Sequence, residues 1–363
     1  MRVTKAEVRR LRIPFQDGGA GEGLFPGTFK AADCVLLRLE TDAGLVGWGE
    51  AFGHFCAESV AAMLERAVCP LLIGTEPEDP AAATEDLQRR LHLIGRYGVT
   101  MFAISAADIA LWDLAAKAEG VSLAELIGGR RRGDLPAYAS LVRYGDPALV
   151  AEKAAEAVGR GYSVLKLHEI TLEAIRAGRE GGGDVPLTVD VNCNWSAEWV
   201  LDWAPALRDV GLHWLEEPIF PPEDFAALAR LRRETGIPLA AGENLCTAVQ
   251  YREMIAAGAV DFVQPSVTKS GGVTETLAAR AAAQAAGLRV AQHSPYFGPG
   301  YLATLQILAA AEDEELFEYL YVERDRELYR GLPTPEGGRI AVPDGPGLGM
   351  EPDPEAMVRL AAD

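Results

Sequence analysis

Apolar and polar positions alternate along Lys5-Ala-Glu-Val-Arg-Arg-Leu-Arg-Ile13 and again along Cys34-Val-Leu-Leu-Arg-Leu-Glu40, the period-two signature of strands. The second run ends at the turn Asp42-Ala-Gly44. Between them, Gln16 to Lys30 is glycine-rich and holds no period, so a long loop is expected there, of the kind that forms lids. Helical spacing follows over 57–70 and 80–94. It is strongest from Thr100 to Glu119, where Ile104, Ala107, Asp108, Leu111, Trp112, Ala115 and Ala116 share one broad face and Gly120 suits the C-terminal cap. Strands followed by helices predict an α+β domain over residues 1–125.

After Leu135 the rhythm changes to repeated strand, loop and helix. Strands are expected to end near Leu141, His168, Asn192, Glu216, Glu243, Ser266, His293 and Glu318, with alanine-rich helices between them at Ala148–Val158, Ala197–Arg208, Phe225–Glu234, Val249–Ala257 and Val273–Ala286. Eight units of about 25 residues fit a (β/α)8-type barrel, a modified TIM barrel within the α/β class, over residues 126–321. No Gly-x-Gly-x-x-Gly turn follows a strand, which weakens a dinucleotide-binding reading. The proline- and glycine-rich tail, 322–363, is expected to return to the first domain and complete it, with Arg339-Ile-Ala-Val342 as a strand.

Composition adds exclusions. With 49% hydrophobic and 24% charged residues in 363, the chain can bury a large core. A net charge of −19 argues against nucleic acid, although a bound divalent metal and one or two lysines can still invert the field locally for an anionic substrate. Met1 to Phe15 lacks a signal-peptide core, and no stretch is expected to reach the apolar length of a membrane span, so a soluble, cytoplasmic protein without membrane partners is expected. The five cysteines, Cys34, Cys56, Cys69, Cys193 and Cys246, have no paired metal spacing and an odd total, which predicts reduced thiols. A symmetric homo-oligomer is the default expectation.

Candidate chemistry lies at the strand ends. Asp190, Glu216 and Glu243 each close an apolar run, 26 and 27 residues apart, about one strand, helix and two loops. One such acid alone is most simply a helix cap or a solvated group. Three in register would meet at one end of a parallel barrel, where an oxygen-only donor set suits Mg²⁺, with Mn²⁺ as an alternative. Lys166 and His168 alternate on one strand and so face the same side. The simpler account of them is a snorkelling lysine beside a surface histidine. His293 ends another strand and precedes Ser294-Pro-Tyr-Phe-Gly-Pro-Gly300.

Together these residues resemble the enolase superfamily, in its mandelate racemase and muconate lactonizing branch. The resemblance rests on Gly44-Leu-Val-Gly-Trp-Gly-Glu-Ala51, Ala107-Asp-Ile-Ala-Leu-Trp-Asp-Leu114, Asp190-Val-Asn192, Glu216-Glu-Pro218, Gly242-Glu-Asn244 and Lys269-Ser-Gly-Gly272 before His293, and covers nearly the whole chain. It implies abstraction of the proton α to the carboxylate of a small-molecule acid, through an enediolate stabilised by Mg²⁺ on Asp190, Glu216 and Glu243. It also implies that Lys166 contacts the substrate carboxylate, Asn192 supports the polar site and Glu318 donates a hydrogen bond from the far side.

Two departures bear on mechanism. The family often has Lys-x-Lys on the second barrel strand; here Lys166-x-His168 puts a histidine in the place of the base. The strand-six aspartate that pairs with the strand-seven histidine in the racemase pattern, or the lysine of the muconate type, is Ser266 here. A hydroxyl can orient His293 but cannot stabilise imidazolium as a carboxylate does. The expectation is therefore an asymmetric reaction: His168 takes the α-proton, His293 protonates a leaving hydroxide, and a sugar acid or related hydroxy acid is dehydrated. Racemisation, epimerisation or cycloisomerisation on the same platform is the alternative, and a non-catalytic metal- and acid-binding homologue is the second. Lys269 is expected to be a support residue.

Overall fold

The computed structural model describes residues 1–19, 30–324 and 326–362, so residues 20–29 of the expected lid lie outside the described residues. The alternating runs form the antiparallel meander β1 (Val3–Gln16), β2 (Ala31–Thr41) and β3 (Val46–Phe52). Helices α1 (Ala57–Met63) and α2 (Cys69–Leu72), joined by a π-helical turn, then α3 (Pro80–Arg90), α4 (Val99–Glu119) and α5 (Leu123–Leu126) follow. Gly47 and Gly49 of β3 explain how α4 packs so closely on this sheet. A Cβ at Gly49 would lie 1.8 Å from the Ala106 carbonyl oxygen, and one at Gly47 2.4 Å from that of Ala110. Only glycine permits that approach.

The barrel alternates β4 (Asp134–Ser140), α6 (Pro147–Gly159), β5 (Leu165–Leu167), α7 (Leu172–Gly182), β6 (Leu187–Asp190), α8 (Ala197–Val210), β7 (Leu212–Glu216), α9 (Phe225–Thr235), β8 (Leu239–Ala241), α10 (Ala248–Ala256), β9 (Phe262–Val263), α11 (Gly272–Ala285), β10 (Arg289–Val290), α12 (Pro299–Ala310) and β11 (Phe317–Leu320). Parallel pairing runs β10-β9-β8-β7-β6-β5-β4-β11. Between β10 and β11 the described residues form no ladder. Side chains join the two instead: Glu318 accepts from the Ser294 backbone N–H at 2.8 Å, and the Ser294 hydroxyl donates to the Glu318 carbonyl at 3.0 Å. Among the described residues no helix follows the eighth strand directly. The chain turns to β12 (Glu323–Arg324), which pairs antiparallel with the end of β1, then to β13 (Arg339–Ala341) and α13 (Pro354–Arg359).

Two expectations are corrected. The strand near Arg339 pairs with β4, not with the first domain: Asp134–Pro136 precede the residues that pair with β5 and β11, so their open edge is available to β13. The tail reaches the cap further on, where the Arg12 N–H donates to Leu360 O at 2.8 Å and the Ala362 N–H to Arg10 O at 2.9 Å. Second, one segment does have the length and apolar composition of a membrane span, namely α4. It is 83% buried over its most apolar stretch and forms the core helix of the cap.

Cap and barrel are joined by buried acids set on the first turns of barrel helices, where unpaired N–H groups favour negative charge. Asp108 of α4 accepts from the Thr274 N–H of α11 at 3.1 Å and from the Thr84 hydroxyl at 2.7 Å. Glu50 of β3 accepts from the Gly300 N–H of α12 at 2.7 Å and from the Cys34 thiol at 3.1 Å. The Phe52 N–H donates to the Thr268 carbonyl at 3.2 Å, which hangs the end of β3 over the barrel mouth. Burial outweighs these donors and pushes both carboxyls up to about 7.

A carboxyl whose folded pKa is raised contributes stability fully below its unfolded pKa, near 4, and loses it as pH rises through the folded value. Asp108 and Glu50 should therefore lower the thermal midpoint between pH 5 and pH 8. Asp108→Asn and Glu50→Gln should each flatten that slope relative to the parent in thermal melts; an unchanged slope in both would refute the assignment.

Candidate active site

Each predicted metal-ligating residue stands where a strand reaches the barrel mouth: Asp190 closes β6, Glu216 closes β7, and Glu243 follows β8 after Gly242. One oxygen from each carboxylate lies within 4.8 Å of the others. Lys166 of β5 is fully buried and anchors the cluster, with Nζ 2.7 Å from Glu216 Oε1, 2.8 Å from Glu318 Oε1 and 3.2 Å from Asp190 Oδ2. The snorkelling account is therefore excluded. One ammonium faces three carboxylates in a site shielded from water, so ionisation is uneven. Burial and its acidic neighbours push Glu216 up to about 7, even against Lys166, whereas Lys166 and His168 overcome burial and hold Asp190 well below the usual range.

This donor set fits a hard cation. Asp190 Oδ2 is buried and, despite its ionic neighbours, accepts no well-directed hydrogen bond. Glu243, 12% exposed, leans on Lys269 at 3.3 Å and on His293 Nε2 at 2.8 Å. The four carboxylates Asp190, Glu216, Glu243 and Glu318 outnumber the two ammonium groups that meet them, Lys166 and Lys269, and oxygen-only ligation suits Mg²⁺.

The two histidines sit in unlike surroundings. His168 Nδ1 lies 2.5 Å from the Leu141 carbonyl, which can only accept, so that nitrogen carries the proton and Nε2 faces Asp190 Oδ2 at 3.4 Å. Burial opposes its charge, but Asp190 outweighs burial and its pKa lies above the ordinary histidine value. His293 Nδ1 meets two hydroxyls, Ser266 Oγ at 3.0 Å and Tyr296 OH at 3.3 Å, and those two hydroxyls also bond each other. Asn192, at φ 44°, presents a buried Oδ1 without a hydrogen-bond partner, while its N–H caps Asp190 at 2.8 Å.

Glu318 differs from its expected role as a donor. It accepts from Ser140 Oγ at 3.0 Å and from the Ser294 N–H. Although burial opposes ionisation, Lys166 and His293 hold its pKa below the usual value, so it is a carboxylate and can only accept. The Lys166 ammonium, expected on the substrate carboxylate, is committed to the three acids of the cluster. A cavity of about 770 Å³ opens above these groups, lined by Ser140, His168, Asp190, Asn192, Glu243, Lys269, His293 and Glu318 together with residues of the cap.

Two family profiles match, the mandelate racemase/muconate lactonizing enzyme N-terminal domain over residues 19–128 and the enolase C-terminal domain-like family over 149–356. The chain belongs to the enolase superfamily. Within its mandelate racemase/muconate lactonizing branch, the chain is 32% identical to a D-galactarolactone cycloisomerase of Agrobacterium fabrum, over 97% of this chain and 95% of that one. It is 28% identical to a D-gluconate dehydratase of Thermoproteus tenax, over 92% of this chain and 71% of the relative. A solved racemase from Streptomyces coelicolor A3(2) with bound magnesium has a TM-score of 0.88 at 28% identity, covering 99% of this chain and 100% of that one.

Sequence reasoning missed several groups of this superfamily site. Glu217 stands beside Glu216, and strand alternation would point it to the other face, but its φ of 41° turns the backbone so that it too lines the cavity. It accepts from Asn244 Nδ2 at 2.6 Å, and burial beside Glu243 and Asp190 raises its pKa well above the usual range. Tyr296 follows His293 by three residues, a spacing that carried no signal. Lys269, expected as a support residue, bridges Asn244 Oδ1 at 2.8 Å and Glu243 and lies 5.0 Å over the Phe52 ring.

Removing the buried cation should expose the repulsion it masks. Lys166→Met is expected to cost about 3–5 kcal/mol in urea unfolding. Adding Glu216→Gln should recover part of the loss, and no recovery would contradict the charge balance described.

Proposed function

We propose that this chain is a magnesium-dependent enzyme that removes the proton α to the carboxylate of a hydroxy acid and then expels hydroxide from the neighbouring carbon, giving a 2-keto acid. The observation that carries this reading is the unequal pair of histidines against the acidic triad: His168 beside Asp190 with its Nδ1 proton fixed on Leu141, and His293 beside Glu243 with only hydroxyls behind it. Asp190, Glu216 and Glu243 are the residues that would hold the metal, with Mn²⁺ as a substitute. When bound, the metal supplies positive charge against the charge that develops on the substrate carboxylate.

His168 Nε2 takes the α-proton, its ring held in one tautomer by Leu141. His293 then delivers a proton from Nε2 to the departing hydroxyl. Lys166 keeps the acids of the cluster in place and, with Asn192, sets the polar floor against which the substrate carboxylate lies. Residues of the cap line the cavity above it. Relatives named as sugar-acid dehydratases support a dehydration. The cycloisomerase relatives support a second reading with the same first step, in which a ring oxygen is the group exchanged. The domain division near residues 125 and 321 belongs to the same reading, cap and barrel each supplying part of the cavity. Five free cysteines, three of them buried, are consistent with a reducing, cytoplasmic setting.

With Mg²⁺ in deuterated water, the protein should exchange the α-proton of its substrate and release a 2-keto acid, and chelation should stop both until Mg²⁺ is restored. His168→Ala should lose both by about 100-fold or more, whereas His293→Asn should keep exchange and lose product. Deuterium at the α-carbon of both epimers without dehydration would favour epimerisation. Exchange surviving His168→Ala would remove that residue from the role of base.

A further inference from the structure

We infer that Glu217, together with Asn192, determines specificity by holding a substrate hydroxyl carried beyond the two reacting carbons, so that the acid must extend past its third carbon; this rests on the reaction proposed above. Where β6, β7 and β8 end, the cavity has a polar wall that includes Asn192, Cys193, Asn194, Glu217 and Asn244. Asn192, Cys193 and Glu217 stand at φ 44°, 59° and 41°, in the left-handed region that costs energy at a residue other than glycine. The Cys193 N–H donates to the Glu217 carbonyl at 2.8 Å and so ties the two turns side by side. Strain of this kind gathers where side chains are held for a ligand.

Glu217 is buried, yet only half of its carboxyl is used. Lys269 Nζ donates to Asn244 Oδ1 at 2.8 Å, which turns the amide so that Nδ2 donates to Glu217 Oε2 at 2.6 Å. The Cys193 thiol meets the same oxygen at 3.4 Å. Among the described residues both hydrogen bonds to this carboxyl therefore fall on Oε2, and Oε1 is left to the cavity that Glu217 lines. Asn192 lines the same cavity, and its Oδ1 is buried without a partner.

A carboxyl oxygen beside an amide matches a hydroxyl, which donates one hydrogen bond and accepts another. The position fixes which hydroxyl is held. His168 and His293 follow β5 and β10, on either side of the triad, and serve carbons 2 and 3. Glu217 lies one residue beyond Glu216, past the end of β7, so its wall receives the part of the substrate that follows those carbons. An acid without a hydroxyl there covers Oε1 and the Asn192 amide and leaves them unpaired, the loss by which a polar site rejects a deoxy analogue.

The test uses the full chain with Mg²⁺ and compares four- and five-carbon aldonates with counterparts that lack only the hydroxyl on carbon 4 or only that on carbon 5. The readings are 2-keto acid and solvent deuterium at C2. In the parent, loss of one of these hydroxyls should lower kcat/KM by about 100-fold or more. Glu217→Met, which presents no oxygen, should shrink that ratio to below about tenfold. Glu217→Gln keeps an oxygen for Asn244, guards against a variant that fails to fold, and should give a ratio between the two. A parent ratio under about tenfold at both carbons, or a ratio unmoved in both variants while all rates fall together, would overturn the role given to Glu217 and leave the proposed reaction standing. Faster turnover of an acid bearing an amine in place of that hydroxyl would overturn the hydroxyl as the group held. Exchange with none of these acids would overturn the proposed reaction and the inferred specificity together.

Discussion

The mouth of this barrel depends on one electrostatic constraint: more carboxylates converge there than there are lysine ammonium groups to meet them. Asp190, Glu216 and Glu318 share a single buried ammonium, Lys166, while Glu243 leans on Lys269 and His293. Close to buried side chains and away from bulk water, such repulsion is costly unless a proton or a further cation relieves it. The rise of Glu216 to about 7 beside a depressed Asp190 is that tension in one pair of strand ends. It is also the physical ground for a divalent cation at this point, since one hard ion answers several oxygens at once.

The cap solves its own version of the problem differently. Asp108 and Glu50 are fully buried acids, yet each is set on the N-terminal turn of a barrel helix, where unpaired N–H groups receive it. Asp113 is a third, taking the Trp48 and Leu348 N–H groups at 2.9 and 2.8 Å as well as Lys117 at 2.8 Å. These contacts bind the meander, α4 and the tail into one body with the barrel. They also determine that the far wall of the cavity comes from β3 and the loop after it, so the reacting groups and the wall above them belong to different parts of the chain.

Much of the site was legible because each piece occupied a local position with a period. Asp190, Glu216 and Glu243 end successive strands, Lys166 and His168 alternate on one strand, and Ser266 and His293 stand at corresponding places on two others, where the structure brings them 3.0 Å apart. Other features were illegible for equally definite reasons. Glu217 carried no signal of its own beside Glu216, and a single backbone angle brings it to the cavity. The family resemblance implied a donor at Glu318, but the four groups around it, Ser140, Ser294, Lys166 and His293, make it an acceptor. The Arg339 strand had the right pattern and the wrong expected partner, because the free edge of β4 becomes visible only once β5 and β11 have taken their places.

The sequence by itself determined the order of strands and helices, the residues carried to the strand ends, and the acidic register of the mouth, since periodicity and spacing are properties of neighbouring residues. The tertiary structure alone decided which carboxylates share Lys166, which nitrogen of His168 holds its proton, and which aromatic rings close the cavity. Those outcomes depend on distances and burial between segments up to hundreds of residues apart, such as Glu50 and Gly300, and no local pattern encodes them.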